Sequence, residues 1–416
     1  MPTGRIEAQA IDLWRHWQGD ATVAGAGFVP ISPSMEPLAL YIHWPFCLAK
    51  CPYCDFNSHV RDRIPQDRFR AALRKELNWE ADRLGRRLLG SIFFGGGTPS
   101  LMQPETVAAL IDDARARFDA VPELEITLEA NPTSVEVSRL EAFRQAGVNR
   151  LSLGVQSLEP DALRMLGRQH SVDQARAALE IARAIFPRLS FDLIYARPGQ
   201  ELAAWRAELR AALALAADHL SLYQLTIEPG TAFATRHGRG EIVLPDGDAA
   251  AALYEATAEE AARFGLLSYE VSNYARPGAE SRHNLTYWRY GDYAGIGPGA
   301  HGRVTLGHDL LATRRHRAPE VWADRVEQGG HGMQEQVAVA REDRAREMLL
   351  MGLRLTEGVD ATRFAARTGM ALEDSIDPEV LSQAVEEAYL DWQAGRLVAL
   401  PAGRLRLDAL LAALVR

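Results

Sequence analysis

Tyr41-Ile42-His43-Trp44-Pro45-Phe46-Cys47-Leu48-Ala49-Lys50-Cys51-Pro52-Tyr53-Cys54 is an apolar run that opens into a loop. That loop carries all three cysteines of a 416-residue chain within eight positions. Three thiols cannot pair off among themselves, and no cysteine elsewhere offers a disulfide partner. The Cys-x3-Cys-x2-Cys spacing presents three soft ligands from one loop, which suits an iron–sulfur cluster or zinc. Zinc needs a fourth ligand, and His43 or His59 is near enough in sequence to supply it. Structural zinc sites usually draw paired ligands from two separate knuckles, however, and no second Cys/His pair follows. Three thiolates leave one iron of a four-iron cluster without a protein ligand. The spacing favours iron–sulfur, with the chemistry at that open iron.

Working outward, strand-like and helix-like segments alternate. Leu38–His43 reads as a strand and Ile64–Leu84 as a helix; Ser91–Phe94 then runs into Gly95-Gly96-Gly97, with a helix over about 104–118. Glu125–Glu129 and Arg150–Gln156 read as strands, with a helix from Val135 to Gln145 between them. Helical spacing returns at Val172–Phe186, a strand at Ser190–Tyr195, and Leu202, Trp205, Leu209 and Leu213 recur on one helical face. His219–Ile227 is strand-like and 247–264 a long Ala-rich helix. This βα alternation, repeated about six times, predicts an α/β fold with a parallel sheet covered by helices. Periodicity leaves open whether the sheet is flat or curls into a barrel. Active residues in such sheets gather at the strands' C-terminal ends, where Cys47, Gly97, Glu129, Gln156 and Asp192 stand.

Past about 305 charged helical segments dominate, clearest over Arg341–Leu355 and Pro378–Gln393. Arg396–Leu400 and Arg404–Leu407 suit a small hairpin turning at Pro401 and Gly403. We therefore expect a core over 35–305 and a mainly helical, winged-helix-like C-terminal domain over 306–416. Residues 1–34 read as a poorly ordered extension, with Met35 as an alternative start.

Composition is that of a folded protein, 47% hydrophobic and 24% charged. A net charge of −9 argues against an extended nucleic-acid footprint. Lys50 and Lys75 are the only lysines, so arginine carries nearly all the positive charge. Arg15, His16 and Asp20 interrupt any secretory pattern, and clustered thiols suit a reducing cytoplasm.

The cysteine spacing at the end of the first strand resembles that of radical S-adenosylmethionine (SAM) enzymes. Tyr41-Ile-His-Trp-Pro-Phe-Cys47, Phe94-Gly-Gly-Gly-Thr-Pro-Ser100, Ser152-Leu-Gly-Val-Gln-Ser157 and Phe191-Asp-Leu-Ile-Tyr195 are similar to the oxygen-independent coproporphyrinogen III oxidase group. Phe56 stands where the oxidases carry a fourth cysteine, and His283-Asn284-Leu285-Thr286-Tyr287-Trp288 matches a motif of that group's heme-chaperone branch. The resemblance implies a partial (β/α)6 barrel, a [4Fe–4S] cluster on Cys47, Cys51 and Cys54, SAM, and heme as cargo. It also implies a heme-receiving protein, for which a respiratory protein and peripheral membrane association through it are candidates, and an electron donor for the cluster.

Glycines let the backbone approach a ligand closely and expose N–H donors; on this resemblance Gly96, Gly97 and Thr98 contact SAM's methionine portion, against the plainer reading of a tight turn. Glu129 would accept from SAM's amino group or ribose hydroxyls. Gln156, Arg168 and Asp192 match positions lining the SAM region, with surface or capping roles as the alternative. Tyr41 and Tyr53 flank the cluster loop, where core packing is the competing role. His283 and Tyr287 are four apart and would share a helical face; either residue type can ligate heme iron, and His301 is a weaker second candidate. Tyr195-Ala196-Arg197-Pro198-Gly199 departs from the group's Gly-Leu-Pro-Gly and puts a charge near the expected site. A heme chaperone, a coproporphyrinogen III oxidase and a zinc-stabilised interaction protein are the three functions these residues allow, the first being favoured.

Overall fold

The computed structural model describes residues 36–415; the expected extension over 1–34 and the start at Met35 lie outside them. Six strands follow one another in sequence and in space: β1 Leu38–Trp44, β2 Leu88–Gly96, β3 Asp119–Ala130, β4 Arg150–Gln156, β5 Arg188–Tyr195 and β6 His219–Gln224. Each pairs in parallel with the next. Parallel strands covered on both faces need apolar residues almost throughout, and in β1 Leu38, Ala39, Leu40, Ile42 and Trp44 are all fully buried. A further strand, β7 (Tyr293–Ile296), pairs with β1 in parallel.

The sheet is curled. Tyr41 of β1, Phe93 of β2, Glu129 of β3, Ser152 of β4, Asp192 of β5 and Tyr223 of β6 all line one cavity. Alternate residues of a strand share a face, so this cavity is the concave side of six consecutive strands. The twelve-stranded order runs from Met333–Ala338 at one edge to Leu267–Ser268 at the other without closing. It is the partial (β/α)6 barrel of the expectation, extended at both ends.

Helices cover the outer face. The helix Gln66–Leu84 buries Phe69, Leu73 and Leu77 against the sheet. Val172–Ile185 starts at Ser171 in a reciprocal capping box with Gln174, which satisfies two amide donors at the helix start. The segment expected as one helix from Val135 to Gln145 is two short pieces, Ser134–Val137 and Leu140–Gln145.

Three differences follow beyond β7. Antiparallel strands at His301–Leu306, Asp309–Arg315 and Met333–Ala338 carry the sheet past the boundary expected near 305. The second apolar core is built mainly from Val339 onward, with Leu349, Phe364, Leu390 and Leu397 at its centre. The expected helix Pro378–Gln393 ends at Glu386, and Leu390–Gln393 is a strand paired with Arg396–Ala399. Ala394 and Gly395 both have positive φ, 51° and 74°, in a two-residue primed turn. Alanine at the first position hid that turn, since asparagine or glycine usually marks it. Pro401 begins a helical turn instead of turning a hairpin, as its fixed φ permits at a first helical position.

Candidate functional site

Past β1 the chain turns through Phe46–Cys47 into the cysteine loop, which His43 ties down. Its Nε2–H donates to the Asn57 carbonyl (2.9 Å), leaving Nδ1 to accept from the Tyr41 hydroxyl (3.0 Å). Burial lowers the His43 pKa to about 4, so the ring stays neutral. Both nitrogens are occupied, and His59 Nε2 lies 3.3 Å from Asn57 Oδ1. With both ring nitrogens engaged, His43 is not free to be the fourth ligand of a zinc ion.

Cys47, Cys51 and Cys54 are half-buried, unpaired and line one cavity of about 420 Å³. Among the described residues no three Cys, His, Asp or Glu side chains converge as ligands of a single ion would. A four-iron cluster asks each thiolate to hold a different iron, and a spread of thiols around one cavity fits that. Thr98 Oγ1 donates to Cys47 Sγ (3.5 Å), and Arg168 Nη1 donates to Cys51 Sγ (3.4 Å). Burial pushes the Cys47 and Cys54 thiols up; a bound metal would oppose that.

The same cavity takes in Tyr53, Gly96, Gly97, Thr98, Glu129, Gln156, Arg168 and Asp192, every expected SAM-region residue but Tyr41. The N–H donors of Gly96 and Gly97 are not left open as expected. Gly96 N–H donates to Glu129 Oε2 (3.3 Å) and Gly97 N–H to the Trp44 carbonyl (2.7 Å), so these donors are spent within the chain. A Cβ on Gly97 would lie 2.7 Å from the Phe46 carbonyl oxygen, and one on Gly96, at φ +112°, would meet the His43 ring at 2.5 Å. What the triplet provides is room for the cysteine loop to pack on β2. Gln156 ends β4 at φ 70°, a conformation uncommon for a side-chain-bearing residue and concentrated at functional sites.

Burial, with the Asp192 charge adding to it, raises the Glu129 pKa to about 8. Burial raises that of Asp192 to about 6, against the opposing pull of Ser221, Arg168 and Ser152. Arg168 also donates to the Gly154 carbonyl (2.6 Å) and to Asn131, binding the ends of β3 and β4 together at the cavity wall. Arg197 adds no charge to the site. It is buried against Glu208 and Ser157, and Ala196 takes φ 54° to permit this.

A second cavity of about 720 Å³ shares Gly96, Glu129, Ser152, Asp192 and Tyr223 with the first. Tyr41, His283, Tyr287 and His301 open onto it. His283 and Tyr287 lie on one helix, Arg282–Trp288, as their spacing predicted. The His283 ring stacks on Phe93 with centroids 4.8 Å apart, and its Nδ1 lies 3.0 Å from Ser91 Oγ. Burial lowers its pKa to about 3, so it is a neutral imidazole, the form that can bind a metal. Asn131, Ser152 and Tyr223 went unread in the sequence, although Ser152 and Tyr223 continue the alternation of polar residues on the inner face.

Fold and cysteine cavity together define a radical SAM protein. The Radical SAM superfamily model matches residues 41–211, and the HemN C-terminal domain model matches 339–406. The chain is 43% identical to the mitochondrial radical S-adenosyl methionine domain-containing protein 1 of Bos taurus, over 79% of this chain and 75% of that one. It is 40% identical to the heme chaperone HemW of Escherichia coli (strain K12), over 91% of this chain and 98% of that one. The solved structure of Escherichia coli coproporphyrinogen III oxidase (HemN), a radical SAM enzyme, superposes with a TM-score of 0.76 at 23% identity, over 91% and 90% of the two chains. That likeness is one of fold. The chain belongs to the HemW family of radical SAM proteins. With that membership come a [4Fe–4S] cluster and SAM, for which the first cavity offers three thiols and a carboxylate-rich wall. No helix among the described residues is long and apolar enough to cross a membrane.

Proposed function

We propose that this protein is a heme chaperone: it holds a [4Fe–4S] cluster on Cys47, Cys51 and Cys54, SAM beside it, and heme in the second cavity, for delivery to a recipient protein. The observation that carries this is the opening of His283 and Tyr287 onto a cavity that shares a wall with the cysteine cavity. At about 720 Å³ it is of the size that takes a cofactor. The neutral imidazole of His283 would offer iron a ligand, with Phe93 and Tyr287 as aromatic walls.

When bound, the cluster and SAM supply one-electron reductive chemistry, driven by an electron donor. Tyr53, Thr98, Arg168 and Gln156 would position that pair, and Glu129 and Asp192 would receive SAM's cationic or hydroxyl groups. Three unpaired thiols suit a reducing compartment such as the cytoplasm. We place the domain boundary near 339, where the second apolar core begins in earnest, rather than at 306. The recipient, a respiratory protein among the candidates, would be met on this chain's surface.

The competing reading is oxidative decarboxylation of coproporphyrinogen III, since HemN, a coproporphyrinogen III oxidase, shares the fold. Against it stands Phe56, 58% exposed where the oxidases place a cysteine. Heme titration of the reconstituted protein, alongside an assay for coproporphyrinogen III conversion with SAM and reductant, separates the two. Stable heme binding without conversion is expected; conversion would assign the oxidase.

A further inference from the structure

Phe93, Thr127 and Arg150 are register partners on β2, β3 and β4, in one row across the inner face of the barrel. All three line the second cavity. Phe93 carries the His283 ring on its face. The other two share a different property. Thr127 Oγ1 and Arg150 Nη2 are buried and have no hydrogen-bond partner in the protein, with Thr127 1% and Arg150 2% exposed.

Buried polar groups are overwhelmingly paired, so two orphans on register-paired residues call for an explanation. Other arginines also carry an unpartnered nitrogen, but of those only Arg150 and the half-exposed Arg314 line this cavity. Arg150 is held in place by its other arm: Nη1 donates to Glu125 (3.3 Å) and to the Ala279 carbonyl (3.2 Å). Glu125 in turn accepts from the backbone N–H of His283 at 3.1 Å. Its carboxylate is thus turned to the chain, and Arg150 Nη2 is left unpartnered on the strand next to that of the Thr127 hydroxyl. Two fixed donors on neighbouring strands match the two oxygens of a carboxylate. Arg314 and Arg317 add positive charge to the same lining.

We propose that Thr127 and Arg150 form a receiving site for a ligand carboxylate inside the barrel. Resting on the heme-carrying reading, the first candidate source is a porphyrin propionate. The row places Arg150 two strand spacings from Phe93, roughly 10 Å, about the reach from a porphyrin's metal to its propionate carboxyl. The second source is the methionine carboxylate of a SAM molecule standing in this second cavity, since neither residue lines the cysteine cavity.

The test begins with the unaltered full chain, reconstituted and titrated with heme and with heme dimethyl ester, whose propionates are masked. A propionate on this site predicts about ten- to hundredfold weaker binding of the ester. Arg150→Met should abolish that difference, and Thr127→Val should reduce it severalfold. Thr127→Val leaves no buried charge unpaired, so it stays informative if Arg150→Met fails to fold. SAM is titrated against the same proteins: loss of SAM affinity in both variants, with no ester effect, keeps the site and assigns it to the methionine carboxylate. If neither heme nor its ester binds, the heme-carrying reading falls while the SAM titration still decides the site. If the ester binds as heme does and SAM affinity is unchanged in both variants, the carboxylate site is overturned.

Discussion

Asp192 stands in the wall that the two cavities share, and its charge adds to burial in holding the Glu129 carboxyl up to about 8. Asp192, at about 6, ionises first, so its charge is present while Glu129 titrates. At neutral pH Glu129 therefore holds a proton when no ligand is bound. A cationic amino group placed beside it would expel that proton.

This gives a pH dependence of defined sign. If Glu129 receives the ammonium of SAM, affinity should rise as pH goes from about 6 to about 8, with proton release below that limit. Glu129→Gln should bind at least about tenfold more weakly and lose the slope. Titration calorimetry in buffers of different ionisation enthalpy reads both. Flat affinity in the wild type would remove Glu129 from the SAM site.

The same shift bears on stability. Both carboxyls have folded pKa values above their unfolded ones, so the folded state binds more protons between the two. Their contribution is full below about pH 4 and is lost as pH rises through about 6 for Asp192 and about 8 for Glu129. The ligand-free protein should lose melting temperature across that window beyond any general trend, and Glu129→Gln should flatten its upper part. Thermal melts at fixed ionic strength check this.

Arg197 and Glu208 test whether the departure from the family's loop sequence concerns structure or site. Arg197→Leu leaves Glu208 buried and unpaired, which should cost about 3–5 kcal/mol. SAM and heme affinities of the folded fraction should not change, because Arg197 reaches neither cavity. Chemical denaturation and ligand titration separate the two effects.

Phe56→Cys should shift stability by no more than about 0.5 kcal/mol, since the ring is largely exposed. On the chaperone reading it should confer no coproporphyrinogen III conversion. Gain of turnover in this variant would show that one cysteine separates the two branches.

The fold was legible in the sequence wherever the period was strong. β4 was placed to the residue, because Arg150–Gln156 is bounded by a turn and carries apolar residues on both faces. The helix Pro378–Glu386 and the strand after it merged because Ala388 and Ala394 adopt positive φ, and alanine gives no sign of that. The strands over 301–338 were missed since they form one end of the sheet, with Met333–Ala338 at its edge, and carry charged residues such as Arg303, Arg314 and Glu335. Of the site, the strand-end side chains Glu129, Gln156 and Asp192 were legible as residues that the fold brings to one cavity. The Gly95-Gly96-Gly97 triplet misled on one point: its Gly96 and Gly97 N–H groups serve the chain, which only the register of β1 on β2 reveals. That Thr127 Oγ1 and Arg150 Nη2 are buried without a partner is a tertiary fact that no local pattern encodes.

The central claim is that His283 meets heme in the cavity beside the cysteine loop. The measurement that tests it most directly is the optical titration of the anaerobically reconstituted protein with heme, wild type against His283→Ala. The account predicts a shifted Soret band in the wild type and, in the variant, loss of that shift with at least about tenfold weaker binding. Identical spectra and affinities for the two proteins would contradict it.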